Sequence, residues 1–408
     1  MKQKQNSVTH AGLKILSLTP WYPPTPGAQE GSFITDSVAA VTSLGNQVSV
    51  LVTRPWKPNA QSAQIAWNET QNNLAQTVKC IRYLSLPRFF LLGLSNWFYQ
   101  KRIQTKIKSF IHQYNIQLIH AHNELAAEAA VNVGKQLSVP VVATLHGIET
   151  SHRFNSLAQH RKHKRVLNDC DAVILVGEPL REHYQQIAGI DCPMSIVPNG
   201  VRTDLIQHSQ SAKRFQTNTR RIASVSNLVK GKGIDLNLRA LATLLEEGIG
   251  NWRYDIVGDG PQRAEYKALA ITLKLHDHVR FLGRLDHQSV FKVLSENEIF
   301  SLPSYKEAFG IAYLEAMVSG NLVIGVYGQG PSAFIKSNVN GLLVEGQSID
   351  SLKAALKQAI VAPESAGTMA DKGRENVLLE YTWSEHARKL VELYHQVIFS
   401  HRKYRLKR

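Results

Sequence analysis

At 408 residues the chain is too long for one compact core and has the length of two domains of about 200 residues each. Its 43% hydrophobic and 19% charged content excludes a disordered or fibrous chain, and no run approaches the ~18 apolar residues of a membrane span. The net charge of +15 calls for a polyanionic partner or surface: nucleic acid, an anionic lipid leaflet or nucleotide diphosphates. Much of that charge is clustered, in Arg161-Lys162-His163-Lys164-Arg165 and in a tail carrying Arg402, Lys403, Arg405, Lys407 and Arg408. The three cysteines, Cys80, Cys170 and Cys192, show no C-x-x-C spacing, which argues for free thiols in a reducing, cytoplasmic compartment and against a disulfide framework or zinc site.

Lys14-Ile15-Leu16-Ser17-Leu18 reads as a first strand, stopped at Pro20-Trp21 and too short for a signal-peptide core. A proline-rich loop leads through Gly27 and Gly31 into a helix over residues 33–43. This is the strand–loop–helix opening of a doubly wound domain, whose ligands sit at the carboxyl ends of strands, and Gly31 lets backbone approach a phosphate or sugar. The spacing is not G-x-G-x-x-G, so no dinucleotide fingerprint is present. A second strand spans residues 47–52, and the polar, Asn/Gln-rich residues 57–76 read as a surface excursion. Residues 86–102 carry aromatics and leucines between Arg88 and Lys101-Arg102. They fit either a helix lying in a membrane interface or a helix packed on the sheet with solvated basic ends.

Residues 117–122 form a strand ending in His120 and His122 on one face; as a metal pair they lack an evident third ligand. A helix over residues 124–137 precedes a buried strand, 139–145, that ends at His146-Gly147. A histidine at the carboxyl end of a parallel strand can donate to a sugar hydroxyl or phosphate oxygen near neutral pH. Asp169-Cys170-Asp171 has the D-x-D spacing of a metal–diphosphate site, but it precedes the strand 172–176 and so falls at the wrong edge of the sheet. A last strand near 195–201 closes the first domain, and a polar linker runs over 202–219.

The second domain opens with a strand at 221–226, followed by Asn227 and then Lys230-Gly231-Lys232-Gly233, where flanking glycines turn the chain sharply and set an ammonium beside an anion. Residues 252–257 lead into Gly258-Asp259-Gly260-Pro261, and residues 279–285 form a strand through Gly283-Arg284-Leu285. Residues 299–304 read as a strand stopped by Pro303; Tyr305 to Gly320 then form a turn and a helix closed by glycine. Amides at such a helix start lack intrahelical partners and suit a phosphate. Glu307 and Glu315 frame the turn, about 8–12 Å apart if the segment rises at helical pitch. That separation suits gripping the two ends of an extended ligand.

Glu307 and Glu315, with Phe309-Gly310-Ile311 between them and Ala316-Met317 after, resemble the E-x(7)-E signature of the family 4 retaining glycosyltransferases. The resemblance covers Lys14 to Val397. It implies an α/β chain with the GT-B fold: two Rossmann-like doubly wound domains facing an interdomain cleft. Residues 1–201 would be an acceptor-binding domain, 202–380 a nucleotide-sugar-binding domain, and 381–408 a helix crossing back to the first domain with a basic tail. The implied catalytic set is Glu307 on the donor sugar, His146 contacting the donor and Lys232 on the diphosphate. Glu315 would hold the ribose, and the backbone beyond Gly283, at Arg284 and Leu285, would meet the base. Gly31, Asn227, Gly258, Phe309, Gly310 and Ile311 complete the implied donor wall; His120 and His122 would border the acceptor.

Two positions depart from the family pattern. Asn227 stands where an arginine clamps the diphosphate, bringing one hydrogen bond and no charge, so that either Lys230 or Arg284 compensates or donor binding is weaker than in the pattern. A carboxylate common near Ala333 is missing. The implied reaction is transfer of a sugar from a UDP- or GDP-sugar to a saccharide or lipid-linked saccharide, in polysaccharide or glycolipid synthesis, with no metal or cofactor. An anionic inner membrane face is a further expected partner. The competing readings are a nucleotide-sugar 2-epimerase, a non-catalytic nucleotide-sugar-binding protein, and a nucleic-acid binder, for which no recognition motif speaks.

Overall fold

The computed structural model describes residues 12–23, 31–56, 77–84, 92–147, 157–187, 189–206, 215 and 218–405. The first domain is a seven-stranded parallel sheet built from β1 (Lys14–Thr19), β2 (Gln47–Trp56), β3 (Thr77–Leu84), β4 (Leu118–Ala121), β5 (Val141–Leu145), β6 (Ala172–Leu175) and β7 (Met194–Ile196), in the order β3-β2-β1-β4-β5-β6-β7. Side chains alternate between faces, as strand geometry requires. Leu16, Leu18, Ala143 and Leu145 enter one core, while Ile15, Leu118 and Val142 enter the other. The first core is covered by α2 (Leu92–Tyr114), α3 (Glu124–Leu137) and α4 (Leu157–Asn168); the second is covered by α1 (Ser32–Ser43). A short α5 (Glu178–Glu182) follows β6.

One sequence expectation changes here. The strand β3 pairs with β2 along its length, from Ser49–Thr77 to Trp56–Leu84, where no strand was expected. Its polar and apolar residues are mixed on both faces, as suits an edge strand, so alternation does not announce it. The excursion at 57–76 lies outside the described residues. On α2, the reading of 86–102 as a helix packed on the sheet with solvated basic ends fits what is described: Tyr99, Ile103 and Ile107 are buried, while Trp97, Lys101 and Arg102 are exposed. Residues 86–91 lie outside the described part.

The second domain holds six parallel strands in the order β10-β9-β8-β11-β12-β13. These are β8 (Arg220–Val225), β9 (Trp252–Val257), β10 (Val279–Gly283), β11 (Ile299–Ser301), β12 (Leu322–Val326) and β13 (Leu342–Val344). Its helices are α6 (Ile234–Glu246), α7 (Arg263–Thr272), α8 (His287–Glu296), α9 (Ile311–Val318), α10 (Ile349–Val361) and α11 (Pro363–Glu380). Strand order reverses between β1 and β4 in one sheet and between β8 and β11 in the other, which opens a crevice at the carboxyl ends of these strands.

The last helix, α12 (Trp383–Arg405), returns to the first domain and packs on α1. Leu390, Tyr394, Val397 and Ile398 enter its core. Polar anchors fix the register: the Val201 amide donates to Tyr381 O (2.9 Å), His386 pairs with Ser37 Oγ (2.8 Å) and Pro198 O (2.7 Å), and Tyr394 Oη lies 2.6 Å from His120 Nδ1. Near the tail, His401 meets Asp171 (2.7 Å), while Asp169 pairs with Lys135 (2.7 Å). The D-x-D carboxylates therefore work as structural anchors at the amino edge of the sheet.

Burial holds His120 down to about 3 and His386 to about 4, and His122 also falls well below the usual imidazole range. Groups depressed in the folded state but ordinary when unfolded support stability above the unfolded value near 6.5. That support drains as pH falls below it, by about 1.4 kcal/mol per pH unit for each histidine. Thermal melts should therefore drop steeply between about pH 6.5 and 5. In His386→Gln the slope should lessen by about one proton; an unchanged slope would show that this imidazole is not held neutral.

Candidate active site

The site is assembled by loops that leave β8, β9 and β11 and touch through their backbones. Gly258, at φ 128°, lies against Ser226; a Cβ there would stand 1.8 Å from the Ser226 carbonyl oxygen. Gly233, at φ 72°, would put a Cβ 2.3 Å from the Pro303 carbonyl oxygen. Only a residue without a side chain allows either approach. Once the loops meet, hydrogen bonds close them: Tyr305 N and Ser304 Oγ both donate to Gly231 O, at 2.9 and 3.1 Å.

This contact brings Lys232 to Glu307. Their side chains pair at 2.8 Å with 22% and 15% of their surfaces exposed, so the pair is open at one side and available to a ligand. The Glu307 amide donates to Gln329 Oε1 (3.0 Å), and its carbonyl accepts from Gly330 N (2.8 Å), which fixes the loop from behind. Gly310 is the N-cap of α9 at φ 93°, and no side chain caps that end. The amino terminus of α9 is thus a place for an anion. Phe309 is buried against Phe334, with ring centroids 5.6 Å apart, so its side chain supports the turn from the core.

Beside this turn opens a cleft of about 640 Å³, inside the usual size range of ligand pockets. Asn227, Gly258, Arg284, Leu285, Ile311 and Glu315, all among the residues expected to meet a donor, line it together. From the first domain it is Ser32 that lines the cleft, and not Gly31, which caps α1 in a left-handed conformation. Ala308 reaches across to the first domain, where a Cβ on Gly177 would lie 3.1 Å from its carbonyl oxygen.

Sequence reasoning missed His287, Asp36 and Arg202. His287 Nε2 lies 2.6 Å from Glu315 Oε1 and lines the same cleft. Asp36 and Arg202 stand across a narrow seam from it. No spacing links residues 36, 202, 287 and 315; only the approach of the domains does.

On the first-domain side, His146 sits against Phe33 and Trp21, with ring centroids at 4.8 and 5.7 Å, and its Nε2 lies 3.2 Å from His122 Nδ1. Its Nδ1 has no partner among the described residues. Burial takes His146 down to about 3, helped by His386. His122 is engaged on its other nitrogen by Ser17 Oγ (3.1 Å), and His120 by Thr144 Oγ1 and Tyr394 Oη, both at 2.6 Å. Both rings are only 4% exposed. The structure therefore turns His120 and His122 inward, behind His146, instead of presenting them at an acceptor pocket. Among the described residues, no group of three or more His, Cys, Asp or Glu side chains is placed to hold a metal ion.

Two facing doubly wound domains, bridged by a C-terminal helix around such a cleft, define a GT-B glycosyltransferase fold. Residues 31–205 match Glycosyltransferase Family 4, and residues 206–376 match the glycosyl transferases group 1 family; the chain belongs to family 4 of the glycosyltransferases. It is similar to a glycogen synthase of Mycobacterium tuberculosis, at 21% identity over 94% of each chain. It is also similar to a GDP-mannose-dependent alpha-(1-6)-phosphatidylinositol monomannoside mannosyltransferase of the same organism, at 27% identity over 62% of this chain and 68% of that one. Among solved structures, HepE of Anabaena in complex with UDP superposes with a TM-score of 0.73, at 20% identity over 94% of this chain and all of that one.

Gly233→Ala should destabilise the second domain by more than about 1 kcal/mol, since it adds both a clash and left-handed strain. Denaturant titration measures this; a neutral outcome would mean that the loop contact at Pro303 is not held.

Proposed function

We propose that the protein transfers a sugar, with retention of configuration, from a UDP- or GDP-sugar to a saccharide or lipid-linked saccharide acceptor. The observation that carries this reading is the Lys232–Glu307 pair, set at the uncapped start of α9 and beside a cleft walled by Glu315. In the bound state Lys232 would exchange part of its contact with Glu307 for the diphosphate. The ammonium and the helix terminus would then stabilise the charge that develops as the leaving group departs. Glu307, freed on one oxygen, orients the donor sugar. His146 keeps a nitrogen for a sugar hydroxyl, reached once Trp21 and Phe33 move aside. Arg284 brings a cation to the wall where Asn227 brings none. The named relatives support the donor class: one depends on GDP-mannose, and one structure holds UDP.

Glu307→Ala and Lys232→Met, each confirmed as folded, should lower the transfer rate at least about 100-fold, the scale of losing a charge stabiliser in a transition state. Undiminished transfer would remove the assignment. Incubation with donor alone separates the alternatives, because a 2-epimerase would convert the nucleotide-sugar without any acceptor.

We further propose that the first domain rests on an anionic membrane surface. No helix among the described residues is long and apolar enough to cross a membrane. The structure instead gathers two of the charged segments onto one face. Glu128 of α3 takes Lys162 of α4 at 2.6 Å and Asn96 of α2 at 3.4 Å, which sets α2 and α4 on either side of α3. Trp97 is 52% exposed, with Lys101 Nζ 5.0 Å from its ring centroid; Arg102 and Lys106 are exposed beside them on α2, and Arg161, Lys164 and Arg165 are exposed on α4. Aromatic rings between cations suit the headgroup level of a bilayer. Co-sedimentation with phosphatidylglycerol vesicles at low salt is the expected result, weakened by salt and by Trp97→Ser with Lys101→Glu. Absence of binding at low salt would overturn this proposal.

A further inference from the structure

Glu315 has a side-chain partner in the cleft. His287, the first residue of α8, places Nε2 at 2.6 Å from Glu315 Oε1, and its ring rests on Phe291 with centroids 5.3 Å apart. Both residues line the cleft, and both also line a seam of about 20 Å³ between the domains. The opposite wall of that seam carries Asp36 from α1, Arg202 from the segment after β7, and Trp383 at the start of α12. His287 and Glu315 are therefore a pair at which the ligand site and the domain interface meet.

The charged groups facing His287 can be counted. Glu315 comes from α9 and Asp36 from α1, while Arg202 and Asp204 come from the interdomain segment. Arg202 Nε donates to Asp204 Oδ1 at 3.1 Å, so those two charges largely cancel. What remains is an imidazole between two carboxylates that belong to different domains. A carboxylate offers about four lone-pair directions, and His287 occupies one. The rest of Glu315 stays open for a pair of vicinal hydroxyls, with the plane of the carboxylate held by the ring.

We propose that His287 is a positioning residue that, when protonated, orients Glu315 toward the ribose of the nucleotide and ties that contact to closure of the two domains through Asp36. This rests on reading the cleft as a nucleotide-sugar site. Closure supplies the Asp36 charge that keeps the imidazolium, and the imidazolium keeps Glu315 in the binding geometry. Nucleotide binding and closure then favour each other by the same factor.

The titration of the groups sets the conditions. Burial pulls His287 down, but the hydrogen bond and charge of Glu315, with the charge of Asp36, outweigh it and raise His287 above the ordinary value. Burial raises Asp36 to about 6, against the pull of Arg202 and His287. Asp36 is thus ionised above about pH 6, and His287 stays charged up to its raised value. The attraction across the seam exists between those limits. It fades below as Asp36 takes a proton and above as His287 loses one.

Calorimetric binding of UDP and of GDP to the full chain, from about pH 5.5 to 9, tests this in wild type, His287→Gln and Asp36→Asn. Ionisation of the nucleotide phosphate is common to all three proteins and cancels in ratios of Kd. His287→Gln should weaken binding at least about fivefold near neutral pH, and the ratio to wild type should close toward one at the alkaline end. Asp36→Asn should shift the alkaline limb to lower pH, because His287 loses its second carboxylate. A ratio that stays constant with pH, or no loss in His287→Gln, overturns the inference while leaving the cleft assignment standing. If neither nucleotide binds the wild-type chain at any pH, the cleft assignment itself fails, and the role of His287 falls with it.

Discussion

The second domain depends on backbone meeting backbone at the carboxyl end of β8. Where Gly258 meets Ser226 and Gly233 meets Pro303, no side chain separates the loops. The loops lie closer than any substituted residue would allow, and their carbonyls and amides pair. This packing sets the position of Lys232, which would otherwise hang on a flexible four-carbon stem. It also aligns the turn at 305–310 with the start of α9. Loops that cannot separate without breaking several contacts at once hold their donors aimed at one volume, as the proposed diphosphate site would require.

The other domain is organised by its returning helix. α12 carries apolar residues into the face of the sheet opposite α2, α3 and α4. It adds polar anchors, Tyr394 to His120 and His386 to Ser37 and Pro198, that reach the strands ending at the cleft. The contacts Tyr394–His120–Thr144 and Ser17–His122–His146 meet where the His120 and His122 rings lie 4.1 Å apart, centroid to centroid, and so join the helix to His146. Such a buried polar network holds its members in one arrangement because any loosening leaves an unsatisfied group in low dielectric. His146 thereby inherits a fixed orientation from a helix that belongs, in sequence, to the far end of the chain.

What could be read in the sequence follows from range. The Glu307–Glu315 turn, the glycines around Lys232 and the strand-ending His146 are local patterns: a strand, a breaker and a chemistry-bearing residue within a few positions. Alternation and helical spacing also located nearly every strand of both sheets. The reading went astray where roles are set by partners distant in sequence. His120 and His122 look, by position, like lining residues, yet their nitrogens are taken by Thr144, Tyr394, Ser17 and His146. β3 escaped because an edge strand need not alternate. Asp36, Arg202 and His287 share no spacing at all, and their chemistry exists only because the domains meet.

Lys232 and Glu307 compensate each other's charge where both are only partly exposed. A cation left unpaired in a partly buried cleft would carry a desolvation cost without compensation. Pairing it with Glu307 keeps both groups in place. On the proposed reading, a diphosphate would bring more negative charge than a single carboxylate does, and the ammonium would gain by turning toward it. The oxygen of Glu307 that it left would then accept from a hydroxyl. Binding of the anion and grip on the sugar would become one event, because a single side chain would move between the two. Asn227 fits the same proposal: with no second fixed cation at that position, the exchange at Lys232 would carry more of the preference for a diphosphate.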